Sequence, residues 1–595
     1  MSIYKFPQQN NWKQNNLFDD KDDIVSSFNI DLTSKRGKVR NTRMLTVARG
    51  VDDDTYTHVA SLGLAVAFRF YNGVYYAATG SDGGSRLSRV SPFRTNPWSL
   101  DESTDAPTNI SDRYSDMEIF NDRLYVSNKS TTLDRNDAGT WLNGGIAITG
   151  AASSRSKMMT VFGGKLYVTA DYAKINSMSS AEAFGATIGT STDTIDLGNP
   201  SSNTITFLRA TSTSIWIGTV NRLGGKGHIY KWDGVSNNVT KSFKLQSSGA
   251  MAATVKDDVL YVMDNDGRLL SFNGGTFQEI DRLPVKQGEY LFFPLGAYNN
   301  RWIHPNAMTV QDDRILILID NEYRGATATS EENVPSGIWE WTQGTGLYHK
   351  YAFSNHNATS GSLTDYGQNR ISIAGALSSI KSESDDADDN GSLLAGVQLY
   401  TDASTIENHI QIDDLNDTIQ KYGYFKTRRV MSESVEDNFQ KLITRYKKLL
   451  NTGDKMWVKY MSEENAPLDI SITTWAGSSA VNTDTDISAY SAGDEIEFLQ
   501  GQGAGKSFHI ESITDLGGGS TQIELDEEFT SVGGSGIARL QKWILAGSYD
   551  GTEVFREFDI DVSNTWVQMK VCIQFTGSDE LEDMYLITRE HKKLE

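Results

Sequence analysis

Along the first two thirds of the chain one order of positions recurs: an apolar stretch, a short polar turn, then an aromatic or aliphatic triplet. The triplets are Val74-Tyr75-Tyr76, Leu124-Tyr125-Val126, Leu166-Tyr167-Val168, Ile215-Trp216-Ile217, Leu260-Tyr261-Val262, Ile315-Leu316-Ile317 and, more weakly, Ile371-Ser372-Ile373. Before them stand Asn72-Gly73, Asn121-Asp122, Gly163-Gly164, Ser212-Thr213, Asp257-Asp258, Asp312-Asp313 and Gln368-Asn369. Asn, Asp and Gly tolerate the positive φ of a tight hairpin turn, so each unit reads as strand, turn, strand.

Successive triplet centres lie 50, 42, 49, 45, 55 and 56 residues apart. Short strands repeating at roughly 40–50 residues predict a β-propeller, one four-stranded blade per repeat. A second echo fits the outer hairpin of such a blade. Ile229-Tyr230-Lys231-Trp232 leads into Asp233-Gly234, Leu269-Leu270-Ser271-Phe272 into Asn273-Gly274, and Ile338-Trp339-Glu340-Trp341 into Thr342-Gln343-Gly344. The expectation is a propeller of about seven blades over residues 46–405, with a closing strand from within residues 45–65.

Beyond residue 405 the repeat stops. Phe439, Leu442, Ile443, Tyr446, Leu449 and Leu450 have helical spacing. However, the turn Asn451–Asp454 followed by Met456-Trp457-Val458-Lys459-Tyr460 reads as a hairpin return, and the all-β surroundings favour two strands. Residues 466–541 carry short strands between Gly-rich turns, the pattern of a small β-barrel. Long strands then resume. The economical arrangement is an all-β chain in which a β-sandwich, residues 406–465 plus 542–595, carries the inserted barrel, with Trp543 and Trp566 as sandwich-core aromatics.

Composition narrows the function classes. The 595 residues hold 55 Lys+Arg against 77 Asp+Glu, a formal charge of −22. Phosphate backbones repel such a chain, so sequence-specific nucleic-acid binding is not expected. The single cysteine, Cys572, excludes an intramolecular disulfide and reads as a small buried hydrophobe. No apolar window is long enough to cross a membrane, and the first residues lack a secretory apolar region, so folding in a reducing cytoplasm is expected. Residues 1–45 read as an N-terminal arm. Its basic run, Lys35, Arg36, Lys38, Arg40 and Arg43, is either a solvated segment or a dock for an acidic neighbouring subunit.

Candidate chemistry is sparse. Gly503-Ala504-Gly505-Lys506-Ser507 looks like a phosphate loop, but Gln500 stands where the pattern needs Gly, and strands flank it where a helix is required. Asp386, Asp388 and Asn390 with Gly391 match the opening of a calcium loop, with oxygen ligands at alternate positions, yet Val397 occupies the place of the bidentate Glu. Calcium is therefore the one cofactor considered, and an acidic solvated loop the plainer reading. Asp137-Ala138-Gly139-Thr140-Trp141 is one residue short of a sialidase Asp-box. The eight histidines form no metal-hydrolase motif, and no nucleophile elbow occurs. Tyr348, Tyr351 and Phe353 are candidates for a binding patch or, more plainly, blade core. No enzyme activity is expected.

The stretch GYFKTRRVMSESVEDNFQKLITRYKKLLNTGDKMWVKYMSEE and the module SAYSAGDEIEFLQGQGAGKSFHIESITD…TQIELDEEF resemble virion structural proteins of tailed bacteriophages, in which a propeller precedes such a sandwich and barrel. The resemblance covers about the last 190 residues and the propeller plan. It implies a noncatalytic tail subunit (nozzle, tail tip or fibre-anchoring adaptor) in a homo-oligomeric ring, located in the virion tail, with other tail proteins as partners and no membrane insertion. The rival expectation is a glycan-binding receptor protein or a sialidase-like glycan hydrolase using the propeller face.

Overall fold

The computed structural model describes residues 3–6, 24–28, 30–32, 38–41, 45–47, 64–80, 86–90, 99–100, 106–107, 110, 115–128, 130–150, 157–179, 187–188, 195–198, 203–221, 223, 225–283, 303–319, 337–351, 371–380, 392–400, 406–413, 423–431, 438–446, 455–475, 479–499, 507–526, 536–549, 555–562, 566–574 and 581–589. Among these residues the protein is all-β, apart from one 3-10 turn at Glu463–Asn465.

Seven of the described sheets, six of four strands and one of five, stand in cyclic contact. Their first strands are Leu64–Tyr71, Met117–Phe120, Met159–Phe162, Thr204–Ala210, Ala250–Lys256, Met308–Gln311 and Ile371–Ile380. Each packs beside the next, and Ile371–Ile380 returns to Leu64–Tyr71. We number the sheets one to seven in this order. The inner turns have the predicted chemistry: Asn72 and Gly73, Asn121 and Asp122, Gly163 and Gly164, and Asp257 and Asp258 all adopt positive φ. That is the turn whose twist matches the flanking strands. The apolar core is divided into layers between neighbouring sheets. Leu64, Val66, Leu124 and Trp141 fill the first layer, while Ile205, Ile217, Tyr167 and Trp232 fill that between sheets three and four.

Six of the seven triplets lie in second strands, as expected, and the outer-hairpin echoes fall on third strands. The weak one does not: Ile371-Ser372-Ile373 opens the first strand of sheet seven, whose second strand is Ser392–Tyr400. Eleven residues separate these two strands, against two to four between the first and second strands of the other six sheets. Sheet seven also runs past the expected limit at 405, through Ile406–Asp413, and its outer strand is Leu45–Val47. The closing strand therefore comes from the expected segment, paired Leu45↔Asp413, Thr46↔Ile412 and Val47↔Gln411.

Sheets seven and one meet with almost no side-chain gap. A Cβ on Gly375 would lie 2.1 Å from the Ala65 carbonyl oxygen, and one on Gly396 2.2 Å from the same atom. Only hydrogen fits there, so two glycines set the distance at which the ring closes.

The C-terminal part contains two sheets on one core. Ile3–Phe6, Leu581–Arg589, Asn438–Tyr446 and Phe555–Val562 form one; Ile24–Phe28, Gly423–Thr427, Trp566–Gln574, Lys455–Ser462 and Ile544–Tyr549 form the path of the other, with Val430–Met431 also paired to Trp566–Gln574. Phe6, Ile24, Leu442, Val458, Val571 and Leu586 pack together between them. Residues 1–45, expected as an arm, thus carry strands that complete both sheets. The two strands flanking residues 451–454 are present, but they do not pair with each other; each enters a different sheet. The helical spacing has a local cause. The register shifts between Phe439 and Lys441 on both partner strands, so Phe439 and Leu442 face the core three residues apart. Trp543 and Trp566 are not in the shared core: Val567, Met569 and Val571 take the inward positions, and both tryptophans pack with Met461 on the outer face. Cys572 is buried.

The expected barrel is closed. Leu468–Trp475, Ala480–Thr483, Ser520–Leu525, Ser507–Gly517, Glu495–Phe498 and Gly536–Gln541 follow one another around it, over a core that includes Ile470, Val481, Ile496, Phe508 and Leu540.

Replacing Gly396 by Ala forces its new methyl against the Ala65 backbone, which cannot swing away. The substitution is expected to destabilise the chain by about 1–3 kcal/mol, measured as a lower denaturation midpoint, whereas Gly275→Ala, at an exposed position where a new Cβ meets nothing nearer than 4.0 Å, should cost less.

Candidate functional site

The polar side chains that join the most elements lie at the axis of the seven sheets. Asn306 sits in the turn before Met308–Gln311 and is nearly buried. Its Nδ2 donates to the carbonyls of Val66 and Ser115, both at 3.0 Å, and its Oδ1 accepts from Arg209 Nη2 at 3.0 Å. Its own carbonyl accepts from Leu377 N at 2.9 Å. Arg209 Nε reaches the Ala253 carbonyl at 2.9 Å, and buried Asp116 accepts from Met159 N at 3.1 Å. These bonds begin or end on strands of sheets one, three, four, five and seven and within two residues of the first strands of sheets two and six. Burial pushes the Asp116 carboxyl above its ordinary range, against the pull of Arg209 and Arg69.

What the axis offers to solvent is a paired charge: Arg69 Nη2 lies 3.2 Å from Glu118 Oε2, with both side chains partly exposed. The guanidinium of Arg209 and the amide of Asn306 are occupied by backbone carbonyls. Chemically the cluster is a tie across the ring, with the ion pair Arg69–Glu118 at its surface.

Two further buried charge clusters join the parts of the chain. In sheet six, Lys350 pairs with Glu340, lies 3.9 Å from Asp31 of the N-terminal segment, and all three are buried. Tyr348 donates to Glu340 at 3.0 Å and accepts from Leu32 N at 3.4 Å. Burial alone would lower the Lys350 ammonium, but Glu340, Tyr351 and Asp31 together outweigh it and the pKa is raised.

The barrel is held on the outer face of the five-stranded path Ile24–Phe28 to Ile544–Tyr549 by opposite charges. Glu495 of the barrel receives both 2.6 Å bonds of Lys570, with Lys459 at 3.6 Å and His509 Nε2 at 3.8 Å. Lys426 reaches Gln541 Oε1 at 3.1 Å and Glu497 at 3.7 Å. Lys570 also lies over the Tyr424 ring, 4.4 Å from its centre. Burial pushes the Glu495 carboxyl up, but Lys570, Lys426 and Lys459 overcome it and hold the pKa at about 2.

Asp386, Asp388 and Asn390, the calcium-loop candidates, lie outside the described residues, as do Lys35, Arg36 and Phe353. Lys38 is paired within its own chain, 2.7 Å from Glu582, and Arg40 begins the short strand Arg40–Asn41. Among the described residues no group of three or more His, Cys, Asp or Glu is arranged to hold a metal. Asp137–Trp141 forms the turn between the third and fourth strands of sheet two, with Trp141 buried. Tyr348 and Tyr351 are buried, so they are packing residues rather than a surface patch. The axial and junction clusters were invisible to motif reading: Asn306 and Arg209 are 97 residues apart, and Glu495 and Lys570 are 75 apart. Only Lys455 and Lys459, four residues apart on one face of the strand Lys455–Ser462, hinted at a charged outer face.

No family model and no curated protein matches the chain. Solved structures similar to part of it include the computationally designed Ika8 protein, at 12% identity and TM-score 0.34 over 62% of this chain and 99% of that one. A chain of the mitotic checkpoint complex matches at 14% identity and TM-score 0.35, over 62% of this chain and 93% of that one. Chaetomium thermophilum Raptor matches at 9% identity and TM-score 0.37, over 62% of this chain and 29% of that one.

Because the depressed Glu495 pKa makes its stabilisation present above an ordinary 4.5, that contribution should be lost as pH falls from 4.5 through about 2. Glu495→Gln should remove this acid step and, by leaving Lys570 buried without its anion, lower stability at pH 7 by roughly 3–5 kcal/mol. Urea titrations at pH 7, 4 and 3 check both, the variant's midpoint changing less between pH 4 and 3 than the parent's.

Proposed function

We propose that the protein is a noncatalytic structural subunit of a tailed-phage virion, part of a homo-oligomeric tail ring as nozzle, tail tip or fibre-anchoring adaptor. In this reading the seven cyclic sheets are the blades of a β-propeller, and the two C-terminal sheets are a β-sandwich into which the barrel is inserted.

The observation that carries the reading is how the buried charge is used. Asn306 with Arg209, Lys350 with Glu340 and Asp31, and Glu495 with Lys570 each join separate elements of the chain. Buried polar groups satisfied in this way specify one relative placement of parts. A subunit that must hold its shape within an assembly needs that property. The resemblance of residues around 422–464 and 488–528 to tail proteins supports the same reading.

The ring hole supports a limit on it. Asn306 and Arg209 bridge opposite sheets across the axis, so a passage for DNA in the assembly belongs between subunits. The net charge of −22 suits such a passage, since an acidic wall does not adsorb the phosphate backbone.

Cryo-electron microscopy and mass spectrometry of purified particles test the proposal. The expected result is the chain at symmetric positions in the tail. Its absence from particles, together with binding or cleavage of host-surface polysaccharide by the isolated protein, would replace the proposal with the glycan-directed alternative.

A further inference from the structure

The outer hairpin of sheet four breaks the charge pattern of the molecule. Residues 222–246 hold Arg222, Lys226, Lys231, Lys241 and Lys244 against Asp233 alone, five charges minus one giving +4 in a chain of −22. The strands His228–Trp232 and Lys241–Lys244 pair so that Lys231 stands opposite Lys241, and His228 opposite Lys244. Like charges directly across a strand pair are unfavourable. Lys231 is partly relieved by the Trp216 ring, 5.4 Å from its centre, and Lys241 by the Gly275 carbonyl at 2.9 Å. Among the described residues, no carboxylate lies within ion-pair distance of Lys241 or Lys244, both exposed on the outermost strand of the sheet.

The opposite charge is displayed at the other radial position. The inner turns of sheets five and six carry Asp257-Asp258 and Asp312-Asp313, and the side chains of Asp257 and Asp313 are 81% and 97% exposed. Lys256, 3.6 and 3.7 Å from them, supplies one cation between these two. One surface is at the periphery of its sheet and the other at the axis-side turns.

We propose that the Lys241–Lys244 hairpin of one copy docks against the Asp257/Asp313 turns of a second copy. The inference rests on the assembly reading above and names the contact that builds the ring. The two surfaces differ, so the contact is head-to-tail, the kind that yields a closed ring when its rotation closes. Two bodies of −22 repel at long range, but at physiological salt charges further apart than about 8 Å are screened and the local pairs decide.

The test uses full-length protein in sedimentation velocity at 0.15 M salt. One variant is Lys241→Glu with Lys244→Glu; the other is Asp257→Lys with Asp313→Lys. Far-UV circular dichroism should match the parent for both variants; the second is expected to melt lower, because Asp257 holds a positive φ and both acids flank Lys256, so association is compared at a temperature where all three proteins are folded. The parent is expected to associate and each variant alone to weaken at least tenfold. An equimolar mixture should associate again, because every contact between unlike copies then joins opposite charges. A parent that remains monomeric at every concentration overturns the contact. So does association that survives both reversals; that result leaves the virion reading standing, whereas absence of the chain from particles would sink that reading whatever the sedimentation shows.

Discussion

One buried amide, Asn306, joins sheets of the ring that are not neighbours. Strands of a sheet satisfy one another, and neighbouring sheets share apolar layers and side-chain bonds such as Tyr71 Oη to the Asp122 carbonyl, each linking one sheet to the next. Asn306 supplies direction. It spends both donors on carbonyls of sheets one and two, its side-chain oxygen on Arg209 of sheet four, and its backbone oxygen on sheet seven. Hydrogen bonds of this kind contribute modestly when made and cost more when one partner is removed, because a buried donor or acceptor is left unpaired. The axis is therefore where the seven sheets are made to agree.

Closure depends on a second constraint, carried by the segment before the ring. Ile3–Phe6 and Ile24–Phe28 lie on the C-terminal sheets, Asp31 and Leu32 meet Lys350 and Tyr348 of sheet six, and Leu45–Val47 completes sheet seven. One stretch of chain thus touches the two-sheet unit and the last two sheets of the ring. The barrel is attached differently, by acids on its own strands facing lysines on the sheet beneath. Apolar layers give the parts their stability, and charge sets how they face one another.

Most of this fold was legible in the alternation of apolar triplets and turn residues, because hairpin turns and second strands are local features. The barrel was legible for the same reason. The failures were also physical. A register shift at Phe439 placed apolar residues three apart and imitated a helix. In sheet seven the strands fall later in the chain than the repeat predicts, so the triplet lies in the first strand rather than the second. Trp543 and Trp566 looked like core residues because of their size, but parity along Trp566–Gln574 sends Trp566 outward. The axial cluster left no trace at all. Asn306, Arg209 and Asp116 are ordinary polar residues in their own segments, and only closure of the ring brings them together.

The stability of Asn306 variants tests this account most directly. Asn306→Ala leaves the Val66 and Ser115 carbonyls and the Arg209 guanidinium without their partner, and Asn306→Asp keeps the shape while removing both donors. Equilibrium denaturation should show each variant destabilised by about 3 kcal/mol or more, with loss of hydrogen-exchange protection in the first strands of several sheets at once. Variants within about 0.5 kcal/mol of the parent, the range of an ordinary surface substitution, would contradict the claim that this side chain ties the ring across its axis.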